Sequence, residues 1–474
     1  MTPKKIFHFA IGPIGSALLG FLSLPIIAWV FSQEDVGKMA LLQVILSFTT
    51  LFFTLGLDQG YVREFHESKN RARLLKTVIV PGFLLLLVTL AICLIFGTLL
   101  SEKVFELRST FISWLLSAAL LCAFLSRFLS LVLRMNERGL AFSMSQLFPK
   151  AFVLIIIIFY LLLDVVKTFE YLLLANTLAI AFTCFILTWN TRKEWSISLV
   201  EKINWQELQR LLRFGLPLII GGVAFWGLTS MDRILLSRWS TYSELAVYSV
   251  SVSFAGAAAI FQSVFSTLWA PTVYKWASND EGYDKVIMVN RYVLLLVIIL
   301  FCIIGLLSWL VPFLLPKEYS DVQWILVACL AYPLFYTLSE TTVVGIGIAR
   351  KSAYSMFACL LALLVNVVCN YFLIPIFGAA GAASSTAVAF WAFLIFRTEF
   401  SIRVWKKLPR LELYSFSFLT LIGALIEALL NNKFGFYLHM YWLMLLCYGV
   451  YFFKVDFLSL INHLSMFFLS KKRV

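Results

Sequence analysis

The chain has 474 residues, 61% of them hydrophobic and 13% charged, with mean hydropathy +0.92 and formal net charge +13. A soluble globule of this size needs a more polar surface, so the composition excludes that class and points to helices that cross a bilayer. Eight cysteines all fall in apolar runs and are read as small packing residues rather than a disulfide framework.

In chain order, about fourteen apolar runs are long enough to span the hydrocarbon layer. They cover 8–31, 39–62, 77–100, 110–133, 140–163, 171–190, 214–238, 244–271, 292–315, 324–349, 353–376, 379–400, 414–432 and 437–453. MTPKK leads into the first of them without a small-residue cleavage site, so no cleavable signal peptide is expected. Long uninterrupted runs predict helices rather than a barrel, because each helix satisfies its own backbone groups in lipid. Four histidines (His8, His66, His439 and His463) stand apart from cysteines and carboxylates, and no metal site is predicted.

The connecting segments orient the chain. Lys4, Lys5, RARLLK (71–76), TRK (191–193), WKKLPR (405–410) and the terminal SKKRV fall on one side with most of the other basic residues. Lys38, Lys103, Arg108, Lys167, Arg238, Lys317 and Lys433 fall on the opposite side. Such a bias predicts both termini in the cytoplasm. The positive charge is therefore topological, and a nucleic-acid partner is excluded.

Four segments are expected: an N-terminal lobe (1–190, spans 1–6), a cytoplasmic linker (191–213), a C-terminal lobe (214–404, spans 7–12), and an added helix pair with a basic tail (405–474). The linker carries Trp195, Ile197, Leu199, Ile203, Trp205 and Leu208 among polar residues, which fits either an interfacial amphipathic segment or an ordinary connector. FHFAIGPIGSALLGF opens the chain and LLRFGLPLIIGGVAF follows the linker, each with a Phe, a Gly/Pro pair and further glycines. Two similar six-span halves fit a transporter that alternates around a central cavity.

Charges inside spans cost roughly 2.5–3.5 kcal/mol near the middle, so depth ranks them. Lys150, beside Pro149 near the centre of span 5, reads as cavity-lining; its competitor is a lysine paired to a structural carboxylate. Glu340 lies deep in span 10 among Ser339, Thr341 and Thr342. Asp232 and Arg233 sit in span 7 and Arg127 in span 4, and both arginines are able to snorkel. Arg397 reads as an anchor near the cytoplasmic end. Glu427 is deep and isolated, and nothing in the pattern explains it. Adjacent residues point about 100° apart on a helix, so Asp232 and Arg233 are expected to find different partners. Arg233 suits an anionic ligand, because its fork matches phosphate oxygens. Asp232 suits a cation, a proton or a sodium ion. A purely structural network stands as the competing reading for both. A cavity holding Arg127, Lys150 and Arg233 would favour a negatively charged substrate.

Three stretches resemble the polysaccharide (oligosaccharide) flippase family, the Wzx-type proteins grouped with the lipid II flippases and MATE exporters. They are LGLDQGYVREF (55–65), FGLPLIIGGVAFWGLTSMDRILLS (214–237) and NYFLIPIFGAAGAASST (370–386). The last carries Asn370, Pro375, Gly378 and Gly381 in the family's order, with small residues for close helix packing. The resemblance implies an all-α polytopic fold of two six-helix bundles in a V plus a C-terminal pair. It implies passage of an undecaprenyl-diphosphate-linked oligosaccharide to the outer leaflet of a bacterial inner membrane, for O-antigen or other surface polysaccharide. It also places Asp58 and Arg63 at an inner gate and Asp232 and Arg233 on the cavity wall. The polymerase machinery that consumes the unit is an implied partner. No cofactor is expected, and coupling to a proton or sodium gradient stays open, with Asp232 and Glu340 as candidates. The alternatives are a lipid II flippase or a MATE-type drug/cation antiporter. A membrane glycosyltransferase, polymerase or ligase is disfavoured, because SEKVFELRS and KEYSDVQW are too short to build a catalytic site.

Overall fold

A computed structural model describes residues 3–277, 282–430 and 435–458. Helices dominate it: α1 Pro3–Val30, α2 Gln33–Phe53, α3 Leu57–Glu64, α4 Arg71–Ile95, α5 Leu99–Phe105, α6 Thr110–Met135, α7 Gly139–Leu162, α8 Phe169–Asn190 and α9 Arg192–Val200. Then come α10 Trp205–Trp239, α11 Tyr242–Ala277, α12 Tyr283–Leu307, α13 Val322–Cys329, α14 Ala331–Ile348, α15 Ala353–Val404, α16 Leu411–Leu430 and α17 Gly435–Phe452. Among the described residues, 11 helical segments are long and apolar enough to cross a membrane. The protein is a multi-pass membrane protein. The basic tail, His463 and Lys433 lie outside the described residues.

The chain forms two compact units, Met1–Trp226 and Gly227–Val474, so the division falls inside α10. In the first unit α7 packs along α1 and α8, while α6 lies against α8 and α2. In the second, α14 packs on both α15 and α11, and α12 holds α17 and α16.

Several expected spans are interrupted, each for a local reason. The second ends at Phe53, because Leu55 (φ 53°) and Gly56 (φ 67°) turn left-handed before α3. A Cβ on Gly56 would run into the Gly215 carbonyl, so the turn needs glycine for the approach as well as for φ. The ninth passes from α helix into a 3-10 stretch, Ser308–Leu314, which contains Pro312. The tenth divides at Leu330, where Pro333 lacks the N–H that would bond the Cys329 carbonyl. The 52-residue α15 is about 78 Å of helix, more than twice the hydrocarbon thickness. It is broken at Gly378 (φ 52°, ψ −124°).

The segment between spans 6 and 7 is mostly helical. Asn204 caps α10 by accepting from the Gln206 and Glu207 amides (3.1 and 3.2 Å), so the first turns of α10 include the end of the expected linker. Its apolar residues divide: Trp195 packs against Leu129, Leu133 and Leu187, whereas Ile197, Leu199 and Trp205 are exposed. Glu427 acquires an account. It is buried, accepts from Trp442 Nε1 (2.8 Å) and Ser308 Oγ (3.3 Å), and so ties α16 to α17 and to the 3-10 stretch.

Candidate functional site

Asp232 lies in the last third of α10 and is fully buried. An uncompensated carboxylate there would be very costly, so its partners decide the site. It has four neutral donors. Oδ1 accepts from Asn366 Nδ2 (2.9 Å) and Asn370 Nδ2 (2.6 Å). Oδ2 accepts from Tyr248 Oη (3.0 Å) and Thr386 Oγ1 (2.7 Å). Asn366 and Asn370 are one turn apart and share a face of the first arm of α15. Thr386 comes from its second arm and Tyr248 from α11.

Gly378 makes this convergence possible. Its dihedrals match the first central position of a type II′ turn, a conformation other residues avoid. The second arm then starts with unpaired amides, and Glu244 of α11 caps it by accepting from the Ala379 N–H at 2.7 Å. A Cβ on Gly381 would collide with the Leu373 carbonyl, so the two arms meet backbone to backbone. Pro375 sits within the helix three residues before the turn. Glu244 was not singled out in the sequence. Its only signal there was an acid two residues into α11.

Asp232 and Arg233 do not pair with each other, but the expectation of different partners is not met, because both touch Tyr248. The hydroxyl of that residue goes to Asp232, while the half-buried Arg233 guanidinium lies 5.9 Å from the ring centroid. Among the described residues Arg233 makes no ion pair or hydrogen bond.

Elsewhere in the second unit, Glu340 meets Arg397. Arg397 Nη1 donates to Glu340 Oε1 (2.7 Å) and to Ser339 Oγ (2.7 Å). Its guanidinium also lies 4.9 Å from the Phe393 ring and 5.3 Å from Tyr336. The expectation of Arg397 as an interfacial anchor is therefore corrected: it is only 9% exposed and paired. Depth along the chain suggested snorkelling, but Glu340 and two aromatic faces hold the side chain inward. The pair borders a cavity of about 440 Å³ also lined by Tyr274, Arg350 and Ser355. Removing one member strands the other, so Arg397→Ala is expected to cost roughly 3–5 kcal/mol and Glu340→Gln with Arg397→Gln considerably less. Thermal melts of the purified variants check this, and equal losses in both would refute it.

In the first unit Arg127 Nη2 donates to Asp58 Oδ2 at 2.6 Å, and Gln59 Nε2 donates to the same oxygen at 3.1 Å. The cationic charge expected of Arg127 is thus balanced by the acid assigned to the inner gate. Arg63 lies against the Phe214 ring (4.5 Å), next to the contact between Gly56 and Gly215. Lys150 Nζ donates to the Ser16 carbonyl at 2.6 Å, across from α7 to α1, and among the described residues it has no carboxylate partner. Two of the three resemblance stretches therefore meet at Gly56 and Gly215, and the second meets the third at Asp232.

These helices make the chain a polytopic all-α membrane protein. A solved structure of "Lipid II flippase MurJ, inward closed conformation" is similar, with TM-score 0.69 and 16% identity over 94% of this chain and 98% of that one. An inward-facing multidrug resistance MATE family transporter of the MOP superfamily gives TM-score 0.52 and 15% identity over 85% and 95%. An outward-facing MATE structure gives TM-score 0.52 at 13% identity, over 85% of this chain and 95% of that one. A family model described as "Polysaccharide biosynthesis protein" matches residues 3–276, and the chain belongs to that family. No curated protein matches it at a significant level.

Proposed function

We propose that this protein is a flippase that carries a polyprenyl-diphosphate-linked oligosaccharide from the cytoplasmic to the external leaflet of a bacterial inner membrane. It works by alternating access, through about fourteen spans with both termini inside. Family membership supports polysaccharide assembly, and the basic bias of one set of loops supports the orientation. The observation that carries the reading is Arg233. It is a guanidinium within a membrane-spanning helix, resting on an aromatic ring while the neighbouring carboxylate is committed to four other groups. A fork-shaped cation of that kind suits a diphosphate. No covalent chemistry is needed.

Asp232 is the proposed place of coupling to a proton or sodium gradient. Both of its oxygens already receive donors, so an arriving proton or cation forces at least one donor to turn away. Asn370 is suited to this, because its buried Oδ1 has no partner and an amide flip exchanges donor for acceptor. Tyr248 bonds the same carboxylate and carries Arg233 on its ring, so reorganisation at Asp232 reaches the anion-binding group directly.

The test is depletion in the native host with mass spectrometry of extracted lipids. Complete oligosaccharide units on undecaprenyl diphosphate should accumulate while surface polysaccharide is lost. Arg233→Ala should reach the membrane at normal level and fail to relieve the accumulation, with Arg233→Lys relieving it in part because charge survives without the fork. Normal lipids after depletion would reject the reading and favour a cation-coupled exporter, in which the buried Asp232 becomes the substrate-facing group. Normal function of Arg233→Ala would remove the arginine from the mechanism.

A further inference from the structure

The first unit contains a cavity of about 470 Å³ bordered by α2, α6, α7 and α8, in the size range of small-molecule sites. Its wall is largely apolar, with Leu46, Leu51, Pro149 and Ile180, and the hydroxyls set into it share a common habit. Thr50 Oγ1 donates to Leu46 O (2.8 Å), Ser145 Oγ to Phe142 O (2.6 Å) and Thr183 Oγ1 to Ala179 O (2.8 Å). Ser47 Oγ donates to Val44 O (2.8 Å) and also accepts from Trp226 Nε1 (3.0 Å), which leaves it less free than the others. A hydroxyl whose proton is committed to its own helix presents only acceptor lone pairs. The polar part of the wall is thus rich in acceptors. Ser126 Oγ is the exception, buried and making no hydrogen bond to its own helix. The exposed Gln43 adds an amide at the rim.

The charge at the cavity is balanced. Asp58, only 6% exposed, is ion-paired to Arg127, and both side chains border the space. A balanced pair gives no net attraction for an anion, so a phosphate is a poor occupant. A neutral molecule with several adjacent hydroxyl donors matches the wall.

Resting on the flippase reading above, we infer that this cavity is the sugar-recognition subsite, selecting an uncharged, hydroxyl-rich sugar of the lipid-linked unit. Selectivity for the sugar then resides in Thr50 and Ser145.

Two probes test this on the purified full-length protein in nanodiscs: undecaprenyl diphosphate without sugar, and the lipid-linked oligosaccharide extracted from the depleted host. Wild type should bind the sugar-bearing lipid about tenfold more tightly, as two ordinary hydrogen bonds allow. The double variant Thr50→Val, Ser145→Ala keeps side-chain volume and should lose that preference while binding the sugar-free lipid unchanged. If the variant keeps the preference, the sugar is held elsewhere and the inference falls. If it loses affinity for both lipids, the hydroxyls only support the fold, and the inference also falls. If wild type binds neither lipid, the flippase reading itself fails.

Discussion

Asp232→Asn is expected to yield an inserted, folded protein whose transport falls roughly 5- to 150-fold, the range of a site-to-site coupling of about 1–3 kcal/mol. The substitution keeps the shape and removes the charge. It also places an N–H₂ where two donors already point, so either the Asn366 and Asn370 amides or the Tyr248 and Thr386 hydroxyls lose their acceptor. Leaving one buried donor unsatisfied costs about 1–3 kcal/mol, which should appear as a lower melting temperature. Relief of lipid accumulation in the depleted host measures the transport, and a melt of the purified variant measures the stability. A lower melt with normal transport would make the cluster structural and end the coupling proposal.

The second large effect lies at the turn in α15. Gly381→Val should prevent accumulation of the protein in the membrane. The atom that its Cβ would meet is the Leu373 carbonyl oxygen, a backbone group with no rotamer available to move it aside. Gly378→Ala should be milder: a non-glycine residue at φ 52° and ψ −124° is strained by about 1–3 kcal/mol, and its Cβ would also sit 2.5 Å from Glu244 Oε2. Glu244→Gln should fall below both, since the capping geometry survives and only the charge assistance is lost. Membrane fractions probed by immunoblot, with melts of whichever variants accumulate, give the order. Wild-type levels of Gly381→Val would mean that the arms do not approach as closely as described.

Much of the molecule was legible in sequence because the deciding forces are local. An apolar run of about twenty residues favours a spanning helix, although 11 segments rather than about fourteen qualify among the described residues. The Gly378 turn was legible for the same reason, since a glycine in a small-residue stretch after Pro375 announces a break. The angular rule for adjacent helical residues keeps Asp232 and Arg233 from pairing with each other, but it does not reveal that both touch Tyr248.

Pairing was a different matter. Arg127 and Asp58 are 69 residues apart, and Asn370 and Asp232 are 138 apart. Depth in a span says that a charge must be compensated, but not by what. Arg397 shows the limit: its position alone reads as an anchor, whereas Glu340, Phe393 and Tyr336 hold it inward. Glu427 is likewise explained only by Trp442 and Ser308, outside its own helix. The class, most of the helices and the polar residues needing partners can be read from the chain alone, because hydrophobic length, glycine and proline act within a few residues. Which polar group compensates which is set by folding, because hydrogen bonds reach about 3 Å and depend on how distant helices pack.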